Sequence, residues 1–356
     1  MRGRITTVGA GFFLLLISLV IAKDVIKPLQ PPFSAPHNLS YPVKKNIDCG
    51  EIPIPPTRMD FFSVYKKGDK TRSIEDPVAM QAYKQSIRPI TQFENKLTKF
   101  SNDYLRSDGQ APQNSYCAFA FLNNWAEQDA LLAPANDQGI AVRKWTLATL
   151  STSYAQISND SSLLLLEKLR VKNWLRKLAY QVVQDYSAKG KISRRNNHLY
   201  WAAWSVAMTG AAINDPLLFR WGMTQGQKGL AEIEIDGTLA EELARGSRAL
   251  HYHIFASTPL LMLDLLARKN HFDFQKHYPG HLDALLRLNL EGLKNPGYFE
   301  AITGSSQDIS KIYSPYSLAW LEIYDCRHPL LEKLRPMNQN RLGGDATLLY
   351  SKCIVK

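Results

Sequence analysis

The sequence predicts an all-α protein of helix pairs joined by short connections, and three observations carry that expectation. Apolar residues recur at helical spacing from about residue 76 almost to the end. Short links of Gly, Asn, Asp and Pro punctuate them, as at Asn214-Asp215-Pro216, where Asp215 is placed to cap a helix that Pro216 opens. No succession of alternating strands is found. The expected helices span 76–99 (with a break near Pro89), 117–132, 139–158, 161–185, 199–213, 216–230, 241–268, 280–293 and 318–326. A ring or solenoid of helical hairpins and a globular bundle both fit this periodicity.

The N-terminus reads as an export signal over residues 1–22. Arg2 and Arg4 precede an apolar run from Phe12 to Ile21 that is too short to span a bilayer, and Ala22 ends it as a small residue suited to cleavage. The mature chain is then expected in the periplasm or outside the cell, with no stable membrane insertion. Residues 23–58, rich in Pro, Asn and Ser, read as an irregular arm, and 59–356 as a single domain. In an oxidising compartment the four cysteines suggest disulfides. Cys326 and Cys353 lie together near the C-terminus, which leaves Cys49 and Cys117 to staple the arm to the body. Neither these nor the dispersed His37, His271, His277, His281 and His328 have metal-ligand spacing, so no metal or cofactor is expected.

The formal net charge is +11, which outside the cytoplasm favours an anionic partner. The basic residues are scattered among tryptophans and tyrosines, with no basic tail and no nucleic-acid motif, so an acidic polysaccharide fits better than nucleic acid. Cleaving a polyuronate by β-elimination needs a neutraliser for the sugar carboxylate, a base for the C5 proton and an acid for the departing O4.

Two segments offer such groups. In 241–253, Arg245 and Tyr252 are seven residues apart, two turns of a helix, and share a face, with Arg248 about 60° to one side and His251 pointing away. A surface stripe with core behind it fits the same pattern. In Arg194-Arg195-Asn196-Asn197-His198-Leu199-Tyr200-Trp201, the asparagines suggest an N-cap that puts His198 in the first turn. Free N–H groups there suit a carboxylate, and Tyr200 or Trp201 could stack on a sugar. A capped helix with buried aromatics and a structural histidine is the alternative. Arg143-Lys144-Trp145 and Asn124-Trp125 read as cleft-wall residues or as plain helix edges. Asp236, Glu241 and Glu242 could serve a glycosidase on composition alone.

The stretch Asn196-Asn197-His198-Leu199-Tyr200-Trp201-Ala202-Ala203-Trp204 closely resembles a motif of the periplasmic alginate lyases, polysaccharide lyase family 5. The resemblance continues through 143–147, 181–185, 248–253 and Arg341-Leu342-Gly343-Gly344. It implies an incomplete (α/α) toroid with a deep cleft and metal-free β-elimination on mannuronate-rich alginate by a monomer. It further implies Asn197 and Arg245 on the substrate carboxylate, His198 and Tyr252 as base and acid (Tyr252 serving in both roles in one version), and Trp201 with nearby aromatics along the sugar subsites. Tyr200, Arg248, Arg143, Trp125 and Arg195 complete the expected substrate-binding set. One departure stands out. Where the family carries a cleft lysine this chain has Val64, so either Lys66 or Lys67 supplies the charge from a shifted position or that substrate contact is lost and polymer preference moves. Mannuronate and glucuronate share their C4 and C5 configuration, so a syn-eliminating site could serve either polymer. A lyase for another uronan and a non-catalytic polysaccharide-binding protein therefore remain the rival readings.

Overall fold

The computed structural model describes residues 27–36, 47–187 and 195–353. The expected signal peptide, His37 and Arg194 lie outside them. The long helices are α1 (Pro77–Ser86), α2 (Arg88–Arg106), α3 (Pro112–Glu127), α4 (Asp137–Ile157), α5 (Leu165–Ser187), α6 (Asn197–Ile213) and α7 (Pro216–Ala231). After the one-turn α8 (Ala240–Leu243) come α9 (Ala249–Lys269), α10 (His281–Lys294) and α11 (Gly297–Thr303). Four short helices and a two-residue antiparallel pairing of Asn338–Gln339 with Gly344–Asp345 finish the described chain.

The helices form two layers. α2, α4, α6 and α9 pack side by side as an inner row, and α3, α5, α7 and α10 cover them, so successive helices alternate between layers as in an (α/α) toroid. Burial follows position. Inner α4 is buried almost all round, whereas outer α5 buries only Val171, Trp174, Leu175, Leu178, Ala179, Val182 and Tyr186, the single stripe of an amphipathic helix. α6 and α7 approach closely because Gly222 has no side chain. A Cβ there would lie 2.5 Å from the Ala203 carbonyl oxygen.

The inner helices α4 and α6 run parallel: Lys144 meets His198 near their starts, and Ser151 meets Thr209 a few turns on. Their N-terminal halves therefore gather at one end of the toroid, where the aligned helix dipoles favour negative charge. The capping follows the sequence. Asn196 Oδ1 accepts from His198 N–H at 3.1 Å, and Asp215 Oδ1 accepts from Leu217 and Leu218 ahead of α7.

Residues 27–36 and 47–58 carry no helix. They lie along the body through Leu29 N–H to Asn214, Gln30 N–H to Asn270 and buried Phe33. Disulfides join Cys49 to Cys117 and Cys326 to Cys353, the expected pairing. Among the described residues no helix is long and apolar enough to cross a membrane.

Two helix expectations fail. Residues 318–326 are not one helix but hold the end of one-turn Pro315–Leu318 and one-turn Leu321–Tyr324. The second failure lies nearer the site. Residues 241–268 are not a continuous helix. The chain leaves α8 at Ala244, turns through Gly246 at φ +54° and a 3₁₀ turn (Gly246–Arg248), then enters α9. A glycine adopts that left-handed backbone without a Cβ clash. Arg245 and Tyr252 thus sit on different elements, and helical periodicity cannot be what brings them together.

Candidate active site

What brings them together is a folded-back guanidinium. Arg245 stacks on the Tyr252 ring with its central carbon 3.5 Å from the ring centroid, and Arg248 lies 5.3 Å from the same centroid. A hairpin over residues 64–76 covers this pair. Its backbone pairs Lys66 with Ile74 and Asp76 with Val64, and its loop is held by Asp69, whose carboxylate accepts from Thr71, Ser73 and Ile74. The hairpin touches the site at three places. The Tyr65 and Tyr252 hydroxyls share a hydrogen bond, Arg245 donates to the Arg72 carbonyl, and Glu75 takes Arg248 at 3.0 Å. Burial and Tyr65 raise the Tyr252 phenol above its ordinary range, while Arg245 and Arg248 pull it down.

The start of α6 supplies the other half. His198 is half-buried, its Nδ1 3.1 Å from Lys144 Nζ, and its ring 5.9 Å from Trp145. Burial holds the imidazole well below its usual range, and Lys144, Arg72, Arg245 and Arg341 add repulsion, so His198 is neutral. Asn197 is fully buried. Its backbone N–H and its side-chain amide both donate to Glu242 of α8 at 3.0 Å, leaving Oδ1 without a hydrogen-bond partner. Burial raises Glu242 to about 7, against the hydrogen bonds from Asn197. A protonated Glu242 can donate to Oδ1, so a half-turn of the amide would present its N–H₂ to a substrate carboxylate instead.

Buried polar atoms rarely lack partners. Among the described residues, Asn197 Oδ1, Arg245 Nε, Arg248 Nε, Arg341 Nη1 and Trp145 Nε1 all lack one, and they surround His198 and Tyr252. The wall is aromatic: Arg341 lies 4.0 Å over Trp145, with Phe255 and Tyr316 beside it. Guanidinium groups with spare donors among aromatic rings suit an acidic sugar chain. Among the described residues no group of three His, Cys, Asp or Glu side chains is placed to hold a metal.

Several expected binding residues lie elsewhere. Arg143 is buried with its fork committed to Asp185 at 2.6 Å and to the Leu131 and Ala133 carbonyls, so its neighbour Lys144 is the one that faces the site. Trp125 is buried against Phe93 at 3.7 Å and donates to the Pro53 carbonyl. Tyr200 is core, its hydroxyl donating to the Arg195 carbonyl, while the Arg195 side chain is exposed. Trp201 is fully buried under Phe255, donating to its carbonyl, and so supports the wall rather than forming its surface. Lys66 and Lys67 are exposed on the hairpin, and neither makes a side-chain contact with the site. The hairpin cation that acts on His198 is Arg72. Tyr65, Arg72 and Phe255 carried no signal of their own in the sequence, since each reaches the site only through the tertiary fold. Arg341 was visible only within the family-like Arg-Leu-Gly-Gly run.

A family model described as alginate lyase matches residues 60–299. The chain belongs to the alginate lyase family. It is accordingly a polysaccharide lyase. It is 33% identical to an alginate lyase of Cobetia marina, over 94% of each chain, and 33% identical to one of Pseudomonas syringae pv. syringae over 94% of this chain and 92% of the relative. The fold matches solved structures of alginate lyase A1-III. A tyrosine-to-phenylalanine variant complexed with tetrasaccharide superimposes at a TM-score of 0.75, with 24% identity, over 88% of this lyase and 89% of that chain. The protein from Sphingomonas species A1 gives a TM-score of 0.73 over 86% and 88%, with 25% identity.

Proposed function

We propose that this lyase cleaves alginate by β-elimination at mannuronate, acting within the chain. The observation carrying this reading is the packing of Arg245 on Tyr252 beside a neutral His198, in a site whose unpaired donors belong mainly to arginines. Arg245, with Asn197, takes the substrate carboxylate and offsets the charge that builds as C5 loses its proton. Tyr252, whose phenol burial and Tyr65 keep protonated at rest, acts once it has given up that proton, a loss that Arg245 and Arg248 favour, and the phenolate removes the C5 proton. The C5–H electrons form the C4–C5 double bond, the C4–O4 bond breaks, and the Tyr252 hydroxyl returns its proton to O4. A single group can do both because the C5 proton and O4 of mannuronate lie on the same side of the ring. Arg248, Arg341 and Trp145 line the neighbouring sugar positions.

The product carries a C4–C5 unsaturated uronate, whose ultraviolet absorbance is the assay. On a panel of defined uronans, polymannuronate should give the fastest rise, and no rise on any of them would overturn the reading. One observation bears on polymer preference. Val64 stands where the family-like pattern places a lysine, and the hairpin answers with Arg72 from another position. Glucuronan, which differs from mannuronan at C2, is the alternative substrate, and the same panel decides between them. We also propose that the protein works in the periplasm, as its N-terminal sequence implies.

A further inference from the structure

Lys144 is a lysine with no measurable exposure, about two turns into α4, and the family-like motifs assign it no part. Its ammonium nitrogen lies 3.1 Å from His198 Nδ1, 4.2 Å from the Trp145 ring centroid and 5.2 Å from that of Tyr186. His198 Nε2 makes no hydrogen bond to any described residue, which leaves it open to a ligand.

We infer that Lys144 is a positioning residue that donates to His198 Nδ1 and thereby fixes the imidazole as its Nε2–H tautomer, which turns a hydrogen-bond donor toward the substrate carboxylate. The inference rests on the lyase reading above and narrows it: His198 then stabilises charge, and the proton transfers fall to Tyr252.

The chemistry follows from donor counting. A neutral imidazole carries one N–H, and the nitrogen that accepts a hydrogen bond cannot also hold it. The reverse arrangement, Nδ1–H donating to Lys144, needs a neutral amine with a free lone pair. Burial and Arg341 do push Lys144 well below its ordinary range, and Asp185 opposes them. The two aromatic faces, however, attract N–H groups and positive charge, not a lone pair. An anionic sugar arriving among Lys144, Arg72, Arg245 and Arg341 favours the ammonium further. His253 offers the contrast within the same protein. It donates from Nδ1 to the Ala249 carbonyl at 2.8 Å and accepts at Nε2 from Leu239 N–H at 3.0 Å, so the backbone fixes the opposite tautomer.

The test is a long-range ¹H–¹⁵N correlation spectrum of the full chain labelled with ¹⁵N-histidine, with His198→Gln identifying its signal and His253 as the internal Nδ1–H reference. The wild type should show His198 with Nδ1 unprotonated and Nε2 protonated. Lys144→Met, matched in volume but without a donor, should mix the tautomers and lower kcat by about ten- to a hundredfold, the scale set by losing an orienting partner, with little change in KM. Lys144→Gln, which keeps an N–H₂, should recover part of both. A wild-type spectrum showing Nδ1–H overturns the inference even if Lys144→Met fails to fold. So does a Lys144→Met enzyme with unchanged tautomer and kcat. If the spectrum is as expected but the wild type turns over no uronan, the lyase reading has failed and the Lys144 contact stands.

Discussion

Arg143 and Arg245 are both buried, at 2% and 9% exposure, yet they do opposite work. Around Arg143, between α4, α5 and the 131–133 loop, Nε and both terminal nitrogens have partners, and an aspartate balances the charge. Around Arg245 the guanidinium is spent on a tyrosine ring and one carbonyl, and among the described residues Nε is unpartnered and no carboxylate is paired with it. Burial of a charged side chain therefore does not mark a site. What separates these two arginines is the incomplete set of partners around Arg245, which leaves a donor for water or a ligand.

The comparison is sharpest where the two regions are mutated. Tyr252→Phe removes the proposed proton carrier and should lower turnover on polymannuronate by about a thousandfold, with the melting temperature nearly unchanged. Near-normal absorbance growth from that variant would remove Tyr252 from the mechanism. Arg143→Met should do the reverse. Leaving Asp185 and two carbonyls without their partner should cost about 3–5 kcal/mol in urea unfolding, while activity per folded molecule persists. If activity fell instead with stability intact, Arg143 would belong to the site after all.

Glu242 tests the boundary between the regions. Its carboxyl is raised from 4.5 to about 7 in the folded protein, so the folded state holds a proton that the unfolded state releases between those values. Its contribution is fully present below pH 4.5 and is lost as pH rises to 7, a decline of about 3 kcal/mol. Denaturant titrations of Glu242→Gln should lack that decline. The smallest effect belongs to Tyr200→Phe, which gives up one hydrogen bond to the Arg195 carbonyl. It should cost about 1 kcal/mol with kcat and KM unchanged, as befits a core residue. A raised KM would return Tyr200 to the sugar-binding wall.

The contrast also explains what the sequence could convey. The helix starts at Asn197 and Pro216 were legible because their capping and proline signals are local. Outer α5 was legible because only one of its faces is buried. On α4 periodicity lost its meaning: with Arg143 and Lys144 both inside, nothing in the pattern tells which faces the site. The break at Gly246 was hidden among good helix formers, and one glycine was its whole signal. Arg245 and Tyr252 were paired for a periodic reason that the structure removes, yet the pair itself is there, held by stacking. Tyr65, Arg72 and Phe255 could not have been found locally, since each is brought to the site by contacts far along the chain.

That dispersal gives the 64–76 hairpin and the Arg341 turn a consequence for biosynthesis. The site draws on residue 65 near one end of the described chain and residue 341 near the other. The pocket around His198 lacks a wall until Tyr316 and Arg341 have packed against it. A nascent or C-terminally clipped chain would present the Asn-Asn-His motif without the competence to use it. Catalytic output therefore reads out completion of the fold, a check on quality written into where its parts lie along the chain.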